Sequence, residues 1–352
     1  MPTIQNPNAA GFQQPAEWEK HEAVWLAWPS HEDLWQENLA AAQEEFIGFC
    51  EAIVDLDPSS KKPRGERLNI LVPTGAAAEK AERALKHLPF KIFLIPFGDI
   101  WLRDTAPIFL KKASEIASAR FHFNGWGGKY ELPHDAQVAE RIAAEVAGPQ
   151  FAHSWVLEGG SVEVDGEGTC LTSRQCLLNP NRNPQMSQAM IEHELKQALG
   201  VSKVLWLDQG LINDHTDGHI DTMARFVAPG KVLCMQARTD ADPNHALMQK
   251  ISQDLSHMVD AKNRNLEVGH IPSPGAIRND EGELMPASYL NFYIGNSTVV
   301  VPTYGSPMDQ EAVAAIATYF PTRRTLGRPA KSILTGGGAF HCISQQQPAK
   351  EN

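Results

Sequence analysis

ARFVAPGKVLCMQA, residues 224–237, places two runs of apolar and β-branched residues on either side of Pro229-Gly230. A turn pair between two such runs predicts a β-hairpin, with antiparallel strands. An amphipathic pattern from about 244 to 261 follows it and predicts a helix. The same order recurs. VEVDGEGTCL turns at Asp165-Gly166 ahead of a helix over 187–199, with Ser187 as its cap and Gly200 as its stop. LNFYIGNSTVVVP turns at Gly295-Asn296 ahead of a helix near 309–320. Earlier in the chain, strands are predicted at 24–28, 68–73 and 91–97, and helices at 34–56, 77–88 and 135–146, the last capped by Asp135 and stopped by Gly148. Strict strand–helix alternation would predict one parallel doubly wound sheet. The hairpins demand antiparallel pairing inside each unit, so the fold class is α/β built as a ring or stack of mixed modules, with helices recurring at roughly 45 to 65 residue intervals.

The totals narrow the class. The chain has 352 residues, 42% of them apolar, enough for a large core. Lys and Arg number 31 against 42 Asp and Glu, a net charge of −11, which disfavours nucleic acid or an anionic membrane as partner and favours a cationic ligand. Five cysteines, odd in number and without CxxC spacing, do not form a disulfide framework and point to a reducing compartment. No basic start followed by an apolar core appears at the N-terminus, and no apolar run is long enough to span a bilayer, so the expectation is a cytoplasmic protein. The Pro/Gly-rich stretches NPNRNP (179–184) and HIPSPG (270–275) are short loops, not linkers. One domain over 1–352 is expected.

Candidate chemistry gathers in four places. SILTGGGAFHCISQQQP, residues 332–348, delivers Cys342 behind three glycines, which belong where the main chain approaches something closely or takes positive φ. Cys342 is then either a nucleophile or a small buried apolar residue. DIWLRDTAP (99–107) ends an apolar strand with Trp101, Arg103 and Asp104; the plain reading is a surface Arg–Asp pair and a cap. Trp126 in FNGWGGKY (123–130) is a core aromatic by default and a ligand wall otherwise. Glu158, at the end of the WVLEGG run (155–160), either faces a pocket with a cationic partner or sits in a solvated turn. The densest cluster is NDHTDGHIDT, residues 213–222. On an extended strand His215, Asp217, His219 and Asp221 would share one face and form a metal-binding row. Alternatively only His219 and Asp221 face the site, one as general acid/base and one as an anionic binder.

Set side by side, PAEWEKHEAVWLAWP, WLRDTAP, FNGWGGKY, LEGGS, LLNPNRNP, TDGHID and GGGAFHCISQQQP, in this order, resemble the blocks of the agmatine deiminases and bacterial peptidyl-arginine deiminases of the guanidino-group-modifying, or pentein, superfamily. The resemblance runs nearly end to end. It implies a pentein α/β-propeller, five ββαβ-type modules around a pseudo-fivefold axis. It also implies that Cys342 is the nucleophile, forming an amidino-cysteine intermediate, and that His219 is the general acid/base. By the same resemblance Asp104 and Asp221 grip the guanidinium, Glu158 adds a third acidic wall, and Trp101 is a pocket tryptophan. His215 stands in the substrate site where agmatine deiminases usually carry an acidic residue, four positions before the histidine. Ala339 and Phe340 replace the family's usual Asn and Ile beside the nucleophile.

The chemistry suits these residue types. A guanidinium is a flat, resonance-stabilised cation, so its hydrolysis needs a strong nucleophile, paired carboxylates to orient it and a proton for the departing ammonia. No metal and no organic cofactor is implied. The expected substrate is a small guanidino cation, agmatine first, with peptidyl-arginine or another guanidino compound as alternative; the more distant alternative is a metallohydrolase using residues 215–221. A homo-oligomer stays open.

Overall fold

In the computed structural model, which describes residues 6–350, β1 (His21–Ala27), β2 (Arg67–Val72) and β3 (Phe90–Leu94) lie parallel and adjacent. Residues 1–5, at the N-terminus considered above, and residues 351–352 lie outside the described residues. Helix Leu39–Val54 makes the crossover from β1 to β2, and helix Gly75–Leu85 the one from β2 to β3. Phe46, Phe49 and Ile53 recur at helical spacing on the first of these and are wholly buried, each side chain contributing about 1.5–3 kcal/mol of hydrophobic stabilisation.

Four three-stranded sheets follow, all on one plan. An antiparallel pair comes first, and its second strand then pairs in parallel with a third across a helix. β4 (Ile108–Lys112), β5 (Glu115–His122) and β6 (Gln150–Val156) enclose helix Asp135–Glu145. β7 (Glu163–Val164), β8 (Thr169–Ser173) and β9 (Lys203–Leu207) enclose helix Gln188–Leu199. β10 (Ala224–Ala228), β11 (Lys231–Gln236) and β12 (Glu267–Pro272) enclose helix His245–Ser256. β13 (Tyr293–Ile294), β14 (Thr298–Thr303) and β15 (Arg324–Pro329) enclose helix Asp309–Ala317.

The final strand, β16 (Ser344–Pro348), returns to pair antiparallel with β1. The first sheet thus takes its antiparallel strand from the other end of the chain, and all five sheets contain a ββαβ unit. The three predicted hairpins form. Ser187 Oγ accepts the Met190 N–H at 3.3 Å, and Gly200 ends that helix at φ 69°. Asp135 departs from its expected capping role: His134 holds the cap position, and the Asp135 carboxylate turns away to accept the Gly98 N–H at 2.7 Å.

This plan leaves five connections between successive modules: β3 to β4, β6 to β7, β9 to β10, β12 to β13 and β15 to β16. They carry, in turn, Asp104, Glu158, His219 with Asp221, Asn291, and Cys342. Among the described residues no helix is long and apolar enough to cross a membrane.

Candidate active site

Cys342 lies two residues before β16, so the closure of the first sheet draws it in beside the short helix Leu102–Thr105. The Arg103 N–H donates to Cys342 O at 3.0 Å. Two of the three glycines now have a steric reason. A Cβ on Gly336 would stand 2.6 Å from Trp101 Cζ2, and one on Gly338 would stand 2.9 Å from Cys342 Sγ, so side chains there would fill the space around the sulfur.

Sγ lies 3.6 Å from Asp221 Oδ2 and accepts from Asn291 Nδ2 at 3.0 Å. Burial pushes the thiol well above its usual range, and the charges of Asp221 and Asp104 push the same way. Asp104 is itself buried. Its Oδ1 accepts the Gly160 N–H and its Oδ2 the Trp126 indole N–H, both at 2.9 Å. Burial raises its pKa, with Asp221 and Glu158 adding to the rise, against the His219 charge and the Trp126 bond. Asp221 is the opposite case: burial raises it, but the His341 bond and the charges of His341, His219 and Arg225 outweigh burial and hold it low.

His219 Nδ1 stands 3.7 Å from Asp104 Oδ1, and neither ring nitrogen has a hydrogen-bond partner among the described residues. The backbone places the ring. Thr216 Oγ1 accepts the His219 N–H at 3.1 Å while donating to Asp214 Oδ1 at 2.6 Å, and Ser173 Oγ bonds Gly218 O. Gly160 lies against the ring, where a Cβ would come within 2.6 Å of Nδ1.

A cavity of about 250 Å³ opens over these groups, lined by Cys342, Asp104, Trp101, Trp126, Tyr130 and His215, with the glycine run as one wall. Trp101 stacks on Trp35 at 6.1 Å, and both indole N–H groups donate to Asp99. Trp126 forms part of the cavity wall, contrary to the core default. It sits at φ 53°, ψ 49°, a left-handed conformation that costs a bulky residue of the order of 1–3 kcal/mol and that here aims its N–H at Asp104. His215 is exposed at the rim, its Nδ1 3.3 Å from the Tyr130 hydroxyl.

A model of the Porphyromonas-type peptidyl-arginine deiminase family matches residues 13–348. The chain belongs to that family. The agmatine deiminase of Stutzerimonas stutzeri (strain A1501) is 36% identical over 370 residues, 97% of this chain and 97% of that protein. The solved agmatine deiminase of Enterococcus faecalis superposes with a TM-score of 0.89 at 33% identity, covering 99% of this chain and 98% of that one. A saxitoxin-pathway amidinotransferase from Microseira wollei shares the fold alone, at TM-score 0.53 and 13% identity over 97% of this chain and 98% of that one. The family is one of hydrolases that act on guanidino C–N bonds, and the mixed α/β fold is the pentein fold expected from the sequence.

Several expectations from the sequence need correction within this family site. The row over 215–221 is not a strand: Asp217 and Gly218 take φ of 65° and 86°, and Ile220–Thr222 is a short 3₁₀ turn. The four side chains therefore diverge. His215 points to the rim, and Asp217 is tied to Arg182, to Asn181 at 3.0 Å and to Lys129 at 2.5 Å. Only His219 and Asp221 turn inward, so the row is no metal site. The one set of potential ligands that does converge among the described residues is Glu158, Cys176 and His219, with ligand atoms within 4.8 Å of one another. Glu158 is buried, not in a solvated turn, and has the cationic partner that burial calls for: Arg182 Nε donates to its Oε1 at 2.9 Å, while Oε2 has no hydrogen-bond partner among the described residues. Arg103 is no surface partner of Asp104; it is buried and donates to His341 O and Gln345 Oε1 at 3.2 and 2.7 Å. Phe340 is not beside the nucleophile. It stacks on Phe49 in the core, centroids 4.4 Å apart.

Two residues of the site had no functional signal in the sequence. Asn291 sits in a segment legible only as the approach to a hairpin, and His341 precedes the cysteine without a visible partner. The alternation of LNFYI offered a strand, and only the fold shows that Asn291 contacts residues 339–342.

Proposed function

We propose that the protein hydrolyses the guanidinium of agmatine to N-carbamoylputrescine and ammonia, with residues 1–352 acting as one catalytic domain. The observation that carries this is the position of Cys342 Sγ, 3.6 Å from Asp221 Oδ2 in a cavity whose wall includes Asp104. Two carboxylates from different modules then accept paired N–H bonds from the flat cation and hold its carbon before the sulfur. Trp101 and Trp126 present apolar faces to the substrate's methylene stem.

The Cys342 thiolate attacks the guanidinium carbon, forming a C–S bond. A C–N bond breaks as His219 protonates the departing ammonia, leaving an amidino-cysteine. Water attacks that carbon while His219, now neutral, takes its proton. The C–S bond breaks, the sulfur recovers its charge, the remaining hydroxyl proton passes to solvent, and the carbamoyl product leaves. The carboxylates that hold the substrate also disfavour the thiolate, and the incoming cation offsets them. The substrate thereby helps to ionise its own nucleophile. Tyr130 and the exposed His215, with Asp214 and Glu283, form the rim that meets the cationic distal end of the substrate.

The test is ammonia release from agmatine, arginine and an arginyl peptide by wild type and by Cys342→Ser. Agmatine is expected to be turned over fastest, and Cys342→Ser to lose about 10⁴-fold or more. Undiminished turnover by Cys342→Ser would end the cysteine mechanism. Faster release from the arginyl peptide would replace the substrate while leaving the mechanism standing.

A further inference from the structure

Glu158 and His219 converge with a residue that has no part in the chemistry above, Cys176 on the short helix Arg174–Leu177. A carboxylate oxygen, the thiol sulfur and a ring nitrogen lie within 4.8 Å of one another. The three residues are buried, at 0, 0 and 1% exposure. Glu158 Oε2 and both ring nitrogens of His219 have no hydrogen-bond partner among the described residues. A buried carboxylate oxygen and a buried imidazole, both unpaired and this close, call for a donor or a cation between them.

We propose that Glu158, Cys176 and His219 form an inhibitory site for zinc or a similarly thiophilic divalent cation. Thiolate, imidazole and carboxylate are the donors that suit zinc, and water completes the tetrahedron. At zinc bond lengths of about 2.0–2.3 Å, tetrahedral ligand atoms stand roughly 3.3–3.7 Å apart, so the three atoms draw in by about 1 Å around the ion. Their surroundings prepare them for this. Arg182 Nε donates to Glu158 Oε1 at 2.9 Å and leaves Oε2 free. Ser173 Oγ accepts the Cys176 N–H at 3.2 Å and donates to Gly218 O, which ties the helix that carries the sulfur to the residue before His219. His219 Nδ1 faces Asp104 Oδ1 at 3.7 Å, and a carboxylate beside the ring is the usual way a histidine ligand is oriented.

The charges balance. The ion displaces the Cys176 thiol proton to solvent, and the thiolate and Glu158 together neutralise a divalent cation, while Arg182 is already paired with Asp217. The catalytic cavity reaches Asp104 and gives the ion its approach. Once bound, the ion holds the lone pair with which His219 accepts a proton. Turnover stops until a chelator removes it. Cys342 is no ligand, so metal binding does not depend on the proposed reaction; the inhibition does rest on His219 being its acid/base.

The test titrates full-length protein, kept reduced with a phosphine, with cobalt(II) as a visible stand-in for zinc. Wild type and Cys342→Ser are both expected to bind one ion per chain with a sulfur-to-cobalt charge-transfer band, which zinc then removes. Cys176→Ala, with Cys176→Ser as second variant, should lose the band and bind about tenfold more weakly or worse. Zinc-edge X-ray absorption of loaded Cys342→Ser leaves the site unaltered and should show one sulfur at about 2.3 Å. Zinc should inhibit ammonia release from agmatine by wild type and EDTA restore it, with the half-inhibiting concentration about tenfold higher or more in Cys176→Ala, each protein judged against its own metal-free rate. No sulfur ligand in loaded Cys342→Ser, or a band kept by folded Cys176→Ala, would overturn the site. Loaded wild type that still releases ammonia at its metal-free rate would overturn the inhibition. Undiminished ammonia release by metal-free Cys342→Ser would instead remove the cysteine mechanism and leave the metal site standing.

Discussion

His341 Nδ1 lies 2.7 Å from Asp221 Oδ2, and on the far side of the same ring Nε2 lies 2.8 Å from Glu17 Oε2. The residue next to the nucleophile in sequence thus anchors the carboxylate next to it in space. Glu17 continues the chain of contacts to Arg225, whose Nε reaches Glu163 at 3.0 Å. All of these groups are buried.

Replacing His341 with Phe leaves two buried carboxylates each short of a partner. Breaking a buried charge-bearing contact from one side costs about 3–5 kcal/mol. Denaturant melts should show a loss of that order, and KM for the guanidino substrate should rise because Asp221 loses its orientation. Both Asp221 and Glu17 are held below their usual values of 3.8 and 4.5, so their contribution is present above those values and is lost as pH falls through the lower folded-state values. Acid unfolding of His341→Phe should therefore begin at higher pH than in wild type. An unchanged acid transition would show that His341 does not hold these carboxylates.

Trp126→Phe keeps most of the cavity wall and deletes the donor to Asp104. A hydrogen bond to a charged group is worth about 1.5–3 kcal/mol to the fold, so stability should fall by that order, and kcat/KM should fall about tenfold or more as Asp104 loses its orientation. Relief of the left-handed strain does not follow from this change, because Phe is as bulky at Cβ. Steady-state kinetics beside a thermal melt distinguish the effect from unfolding.

Gly160→Ala puts a methyl group where the His219 ring and Asp104 Oδ1 now stand, 2.6 and 3.0 Å away. The peptide at Gly160 needs no positive φ, so the backbone tolerates alanine and the cost falls on the ring. Loss of kcat with a normal circular-dichroism spectrum is the expected outcome. An active Gly160→Ala enzyme would show that His219 has room to move.

Asp135 gives a pH-dependent stability away from the chemistry. Its pKa is raised to about 7, chiefly by burial and secondarily by the Asp99 charge, against the bonds from Gly98 and Asp99 N–H groups. The unfolded chain loses this proton near 3.8, so from there to about 7 the folded state binds more protons and stability falls as pH rises. A shift of that size corresponds to about 4 kcal/mol as an upper figure. Asp135→Asn cannot ionise, so its stability relative to wild type should increase between pH 5 and 8. Parallel melting curves for the two proteins across that range would count against a buried, late-ionising Asp135.

The modular architecture could be read in the chain because its signals are local. Pro229-Gly230, Asp165-Gly166 and Gly295-Asn296 each join two strand-forming runs, and a hairpin needs little beyond its turn and flanks. Ser187 and Gly200 bracket their helix for equally local reasons. Asp135 misled for the complementary reason: its carboxylate found a partner in Gly98, 37 positions away, that no local pattern announces. The row at 215–221 failed similarly, since positive φ at Asp217 and Gly218 breaks the alternation that an extended strand would have kept.

Resemblance to a known family named Cys342, His219, Asp104 and Asp221 as candidates; read by itself, the segment carrying Asp104 suggested only a surface pair and a cap. Which of their neighbours matter was decided by the pairing of the chain's last strand with its first. β16 pairs with β1 and brings residue 342 against residues 103, 221 and 291, and only that placement gives Arg103, His341 and Asn291 their partners. Turns, caps and periodicity act over a few residues and are written along the chain. Hydrogen bonds among groups more than 50 positions apart depend on a closed set of modules, and distance in sequence carries no record of them.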